Sequence, residues 1–162
     1  MNIEKKSYFN FFTITIILVL DQSSKIYIIN LFNQNYDQIY LTSFLNLQLI
    51  WNEGIAFGLL SFDNNFYYNF ITLMILIIII VLLIFIKNQD QYSFFYSMII
   101  GGALGNFIDR LRYSAVPDFI DFHIANFHWF VFNIADIFVS LGVFCLIIAE
   151  IFFNKNKTND KI

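Results

Sequence analysis

The chain has 162 residues, of which 59% are hydrophobic and 13% charged, and its formal net charge is -3. A water-soluble domain carries about 25% charged residues, so the composition excludes that class and indicates one integral membrane domain over residues 1–162. The single cysteine rules out an intrachain disulfide. There is no Walker loop, Gly-x-Ser-x-Gly motif or basic patch, so the sequence predicts no nucleic-acid partner.

Four apolar stretches predict a mostly α-helical protein with four transmembrane helices, at residues 8–30, 66–86, 92–111 and 129–153. Each approaches or exceeds the roughly 20 apolar residues that a helix needs to cross a bilayer. The apolar run at the start of the first stretch continues into residues 21–25 (DQSSK) without a small-residue cleavage site, so we expect a retained helix and not a signal peptide.

The connections between these helices differ in character. Residues 31–65 contain no Lys or Arg, and polar and apolar residues alternate from Asn46 to Leu49, as in a half-buried strand. We therefore predict a small extracytoplasmic β-sheet between helices 1 and 2. Residues 112–128 form a second, shorter extracytoplasmic segment.

The lysines predict the orientation. Six of them fall at the helix ends opposite residues 31–65: Lys5, Lys6, Lys87, Lys155, Lys157 and Lys161. Positive charges favour the cytoplasmic side, so both termini of this multi-pass protein are expected in the cytoplasm, with residues 31–65 outside.

Polar residues from four segments fall at one depth, the outer half of the predicted bundle. They are Asp21, Asn106, Asp109, Arg110, Asp118, Asn133 and Asp136. An acid inside a membrane is costly and is a functional candidate by default. Their convergence predicts a site near the extracytoplasmic face.

The acids Asp118 and Asp136 are the strongest catalytic candidates, because two neighbouring carboxylates can share a proton. Asp136 is three residues from Asn133, which predicts a shared helix face, although a structural contact between helices is the alternative. Asp118 follows Pro117, whose fixed φ gives the acid a rigid approach. Taken alone, Asp118 reads as a solvated loop acid.

The remaining polar motifs each have a structural interpretation. Asp21 and Lys25 have the spacing of a helical ion pair, the alternative being that Asp21 orients a substrate. Asp109 and Arg110 are expected to form a structural ion pair or to extend outward to the membrane interface. The alternative is that Arg110 binds an anionic or carbonyl-rich ligand. The Gly101-x-x-x-Gly105 spacing predicts close helix packing.

A further acid and two histidines lie in the segment between helices 3 and 4. Asp121 is expected to face solvent. No chelating motif accompanies His123 and His128, so the sequence predicts no metal site.

Five blocks in this order resemble one protein family. They cover residues 21–25 (DQSSK), 52–58 (NEGIAFG), 101–110 (GGALGNFIDR), 116–122 (VPDFIDF) and 132–136 (FNIAD). Together they are similar to lipoprotein signal peptidase, the type II signal peptidase of bacteria. Pro117 and Ile55 depart from the usual pattern, and Pro117 affects only the aim of Asp118.

The resemblance implies an aspartic endopeptidase of the bacterial cytoplasmic (inner) membrane, and this enzyme would need no cofactor. Its partners would be membrane lipid and prolipoproteins whose cysteine carries diacylglycerol, and cleavage would fall just before that cysteine. Separately from the resemblance, we expect a monomer. Asp118 and Asp136 would be the catalytic pair, with Asp109 as a second choice. The positions that would contact substrate or support the site are Asp21, Asn52, Gly54, Asn106, Asp109, Arg110 and Asn133.

Two other classes of protein fit parts of the pattern. A transporter or proton-conducting subunit would place polar groups through the full bilayer depth, whereas the inner halves of helices 2 and 4 are apolar apart from Glu150. A membrane assembly factor would explain the ion pairs but would leave Asp118 and Asp136 without a role.

Overall fold

A computed structural model describes residues 3–34, 37–53, 64–88, 91–124 and 127–159. Its four helices are α1 (Ile3–Phe32), α2 (Asn64–Lys87), α3 (Ser93–Tyr113) and α4 (Ile134–Asn159). Its four strands are β1 (Ile39–Tyr40), β2 (Leu45–Asn52), β3 (Val116–Ile124) and β4 (Phe127–Phe132). The prediction of a mostly helical membrane protein with a small sheet is confirmed at this level.

Three of the helices, α1, α2 and α4, are long and apolar enough to cross a membrane. The surface of α2 supports this, because large apolar side chains such as Leu73, Ile80 and Ile84 are exposed along its length. An exterior of this kind suits lipid rather than water, since monomeric soluble proteins rarely expose continuous apolar surface.

The third helix, α3, lies at the centre and packs against α1, α2 and α4. Its glycines allow this approach. A Cβ at Gly101 would lie 2.9 Å from Ile17 Cβ, and one at Gly102 would lie 2.5 Å from the carbonyl oxygen of Ala135. The predicted packing role of the glycines is therefore confirmed.

The strands form one antiparallel sheet in the order β1-β2-β3-β4. Only β1 and β2 come from the connection between helices 1 and 2, where the sheet was predicted. The other two come from the connection between α3 and α4, which was predicted to be only a short segment. In the register of β2 and β3, Ile50 lies opposite Asp118 and Asn52 opposite Val116.

The start of the fourth helix differs from the prediction. It begins at Ile134 and not at residue 129, because residues 127–132 form β4. This stretch is rich in aromatic residues and runs without a break into the apolar helix, so sequence pattern alone does not separate strand from helix. The boundary is set by Asn133: its Oδ1 accepts the Asp136 N–H at 3.0 Å, while an Asp136 carboxylate oxygen accepts the Asn133 N–H at 3.2 Å. This reciprocal pair is a capping box.

Candidate active site

A buried ionic cluster joins α1 to α3. The Lys25 ammonium lies 2.8 Å from an Asp21 carboxylate oxygen and 2.6 Å from one of Asp109. All three side chains are buried. A buried charge is tolerated only when it is paired and hydrogen-bonded, so each member requires the others.

The expected pair of Asp21 and Lys25 is thus confirmed, with Asp109 as a third member. Among the described residues no ion pair joins Asp109 to Arg110, so that interpretation was wrong. Lys25 and Gln22 were not predicted as site residues, although both belong to the block at residues 21–25.

Gln22 and the start of α4 hold the carboxylates in place. The Gln22 amide donates to Asp109 at 3.0 Å and to the Gly105 carbonyl at 3.2 Å. Asp21 Oδ1, the carboxylate oxygen that does not face Lys25, accepts a hydrogen bond from the backbone N–H of Ala135 at 2.9 Å, in the first turn of α4. A Cβ at Gly105 would overlap the Asp21 carboxylate. Gly105 is therefore required for this acid to fit between α1 and α3.

Asn106 connects the ionic cluster to Asp136. Its Oδ1 accepts from Lys25 at 2.8 Å, and its Nδ2 donates to Asp136 Oδ1 at 2.9 Å. An ammonium group only donates, so the amide oxygen must face Lys25 and the amide nitrogen must face the acid. Lys25 thus fixes the orientation of an amide that supports Asp136.

Asp118 is buried on β3 and receives two amide hydrogen bonds. Asn133 Nδ2 donates to its Oδ1 at 2.6 Å, and Asn52 Nδ2 donates to its Oδ2 at 2.9 Å. The Asn52 contact follows from the sheet register, because Asn52 lies two residues beyond the position opposite Asp118, within reach across the strand pair.

Asn133 links the two candidate acids. Its side chain donates to Asp118 and its backbone N–H to Asp136, so both carboxylates gather around one residue. Burial raises the pKa of Asp118 to about 6; the hydrogen bond from Asn52 opposes this shift, and the nearby charge of Asp136 adds to it. The structure thus gives a carboxyl group that changes protonation near neutral pH beside a second carboxyl group.

Arg110 and Gly54 complete the predicted set. Within the described part of the chain, Nε and Nη1 of Arg110 are buried without a hydrogen-bond partner. Its guanidinium lies 5.4 Å from the centroid of the Tyr68 ring, and the Tyr68 hydroxyl donates to the Arg110 carbonyl at 2.8 Å. Gly54 lies outside the described residues.

Asp121 does not face solvent, so that prediction was wrong. Its side chain is fully buried, and its carboxylate lies 2.8 Å from His128 Nδ1. The physical reason is that β3 is an interior strand, with β2 on one side and β4 on the other. The prediction treated this segment as a loop, whereas Asp121 lies between Asn46 on β2 and Val131 on β4, and side chains of the neighbouring strands surround it.

The family profile described as "Signal peptidase (SPase) II" matches residues 13–152. The chain belongs to the signal peptidase II family. A lipoprotein signal peptidase of Pelagibacter ubique is 52% identical over 97% of this chain and 96% of its own length. One of Anaplasma phagocytophilum is 40% identical over 91% of this chain and 94% of its own.

A solved bacterial membrane enzyme, determined by the in meso method, resembles this member of the signal peptidase II family in three dimensions. The TM-score is 0.75 at 34% identity, covering 91% of this chain and 90% of that one. The resemblance drawn from the five sequence blocks is confirmed, and the chain is a protease. The transporter and assembly-factor alternatives are not supported.

Proposed function

We propose that this signal peptidase II cleaves diacylglyceryl-modified lipoprotein precursors just before the lipidated cysteine, with Asp118 and Asp136 as its catalytic pair. The observation that carries the proposal is the arrangement around Asn133, which donates a hydrogen bond to each of these carboxylates. The names of this chain's relatives indicate the substrate class, since lipoprotein signal peptidases act on lipoprotein precursors.

Two neighbouring carboxylates in a poorly hydrated site share one proton, because both cannot ionise cheaply. The ionised partner takes a proton from a water molecule, and that water attacks the scissile carbonyl carbon. The protonated partner donates a hydrogen bond to the carbonyl oxygen and then helps to protonate the leaving amine. The raised pKa of Asp118 supports Asp118 as the partner that holds the shared proton.

The surroundings of the pair suit this division. The hydrogen bonds that Asp118 receives come from the neutral amides of Asn52 and Asn133. Lys25 forms its ion pairs with Asp21 and Asp109 and makes no described hydrogen bond to Asp118. A direct lysine contact would hold a carboxyl group ionised. The neutral amides position Asp118 while leaving its proton available.

Arg110, Asn52 and Gly54 are proposed to contact the substrate. Arg110 supports this, because two of its buried donors have no partner among the described residues. A buried donor without an acceptor costs about 1–3 kcal/mol, and the carbonyl groups of an extended peptide would satisfy it.

We also propose four membrane crossings, with both termini in the cytoplasm. The pairing of β2 with β3 supports the count, because both strands must lie on one side of the membrane. If α2 leads the chain away from that side, α3 must bring it back. The lysine distribution supports a position of the sheet and the acid pair toward the extracytoplasmic face. At that face the lipid tails of a bound precursor would remain in the bilayer. We propose that the enzyme acts as a monomer.

The test uses purified protein in detergent and a diacylglyceryl-modified precursor. Asp118→Asn and Asp136→Asn should each lower the cleavage rate by several orders of magnitude, while Asp37→Asn, at an exposed position, should cleave normally. Activity should be indifferent to a chelator, because the two carboxylates need no metal to activate water. Near-normal cleavage by either variant of the pair would refute the assignment.

A further inference from the structure

The hairpin of β3 and β4 carries a second polar cluster, which the proposed reaction does not use. It consists of Asp121, His123 and His128. His123 lies directly opposite His128 in the strand register, and Asp121 precedes His123 by two residues, the repeat that returns a side chain to the same face. A carboxylate oxygen and one ring nitrogen from each histidine all lie within 4.8 Å of one another.

Hydrogen bonding leaves this cluster incomplete. His128 Nδ1 lies 2.8 and 3.0 Å from the two oxygens of Asp121. His123 is 9% exposed, yet its Nδ1 is buried and has no hydrogen-bond partner in the described part of the chain. Asn46, directly opposite Asp121 on β2, likewise has a buried Oδ1 with no such partner. Unpaired buried polar atoms of this kind are rare and call for a ligand or another explanation.

We propose that Asp121, His123 and His128 bind one divalent transition-metal ion, of which Zn²⁺ fits the donor set best. Imidazole nitrogen and carboxylate oxygen are both ordinary zinc ligands, at about 2.0–2.2 Å. Mg²⁺ and Ca²⁺ fit less well, because they prefer oxygen ligands throughout. Asp121 supplies a negative charge in a buried position, and water or the Asn46 oxygen would take the fourth place.

The geometry allows the site to form with a small movement. At zinc bond lengths, tetrahedral ligand atoms lie roughly 3.3 Å apart, so the separations of up to 4.8 Å must shorten. The side chain that must move is accessible, because that of His128 is 51% exposed whereas that of Asp121 is 0% exposed. The two imidazole rings are stacked with centroids 5.1 Å apart, so rotation of His128 brings its nitrogen toward a shared ion.

Such an ion would act on the frame of the enzyme and not on the peptide bond. Asp121 and Asp118 have different partners, because Asp121 contacts His128 whereas Asp118 accepts hydrogen bonds from Asn52 and Asn133. The ion would tie β3, which carries Asp118, to β4, which leads directly into Asn133. The ion would therefore add thermal stability to this part of the sheet, whereas cleavage would not require it.

The test uses full-length protein in detergent, purified without a histidine tag, and Zn²⁺ as the probe in competition with a chromophoric chelator. The chain has two histidines, so histidine ring signals in NMR report on this cluster alone. We expect one Zn²⁺ per chain, a shift of both histidine signals, and a higher melting temperature with Zn²⁺ than without it. Asp37→Asn, which alters an exposed acid, should change none of these.

His128→Ala should weaken Zn²⁺ binding by more than the roughly 10- to 100-fold that follows loss of a residue that only orients a ligand. Because His128 is exposed, this substitution should not impair folding. Asp121→Asn keeps the shape of the side chain and should also abolish Zn²⁺ binding. Stoichiometric binding lost in both variants would support the site. Absence of saturable binding, or binding that survives His128→Ala, would overturn it.

Discussion

Removing the Asn52 amide should move the pH dependence of cleavage in a direction that the site geometry fixes. The Asn52 amide donates to Asp118 at 2.9 Å and therefore stabilises the ionised carboxylate. Asn52→Leu keeps a similar volume but no donor, so the pKa of Asp118 should rise from about 6. A hydrogen bond to a charged group contributes about 1.5–3 kcal/mol, and one pKa unit corresponds to about 1.4 kcal/mol, so we expect a rise of roughly 1–2 units.

The sign for activity follows from the shared proton. If Asp118 holds that proton, kcat/KM of the native enzyme should fall as the pH rises through about 6, because Asp118 then loses the proton that it donates. In Asn52→Leu this alkaline limb should lie roughly 1–2 units higher, by the arithmetic of the lost hydrogen bond. The position of the limb is informative even if Asn52 also contacts substrate, since a lost contact lowers kcat/KM at every pH.

The assay is cleavage of a lipidated precursor at low substrate concentration between pH 4 and pH 9. Gln48→Leu is the matched control, because it changes an amide on the same strand that makes no described contact with Asp118. Its alkaline limb should coincide with that of the native enzyme. An alkaline limb in Asn52→Leu that stays in place, or moves to lower pH, would refute the role assigned to Asp118.

Three further predictions concern the framework. Gly105→Ala should reduce cleavage at least tenfold and lower the melting temperature, because the new Cβ overlaps Asp21. The control is Ala103→Gly on the same helix, which costs about 1 kcal/mol of helix propensity and should cleave almost normally. Equal losses of activity in both variants would indicate that a weakened helix, and not the overlap with Asp21, is the cause. Lys25→Met should destabilise the protein by about 3–5 kcal/mol, since it leaves two buried carboxylates unpaired, whereas Lys87→Met at an exposed position should not. Asn133→Ala should lose cleavage activity and also the helix cap, which contributes about 0.5–2 kcal/mol of stability. Asn133→Ser should recover thermal stability but not activity, because a serine hydroxyl can cap α4 but cannot replace the amide that donates to Asp118. Recovery of both properties by serine would contradict the role of the amide.

Local pattern was sufficient for several features. The long apolar runs identified the membrane helices, because hydropathy over about 20 residues is a property of the segment itself. The glycines of α3 and the pair of Asp21 and Lys25 were also read correctly, since helical spacing alone brings such residues to one face. The five ordered blocks identified the family before any coordinates were considered.

Other features depend on contacts between remote segments, which no local pattern specifies. Apolar strand and apolar helix look alike at residues 127–132, and only pairing with β3 distinguishes them. Asp121 was expected to face solvent, because the sequence does not show that strands from both connections pair around it. Asp109 was expected to pair with its neighbour Arg110, whereas it pairs with Lys25 on another helix.

The sequence by itself determined the membrane class, the family and the acids worth testing, because these follow from composition, spacing and the order of motifs. Only the tertiary structure decided which residues meet: Asn133 with Asp118 and Asp136, Lys25 with two carboxylates, and Asp121 with two histidines. The physical reason is that buried polar groups must find partners, and the partner each one finds depends on how the helices and strands pack.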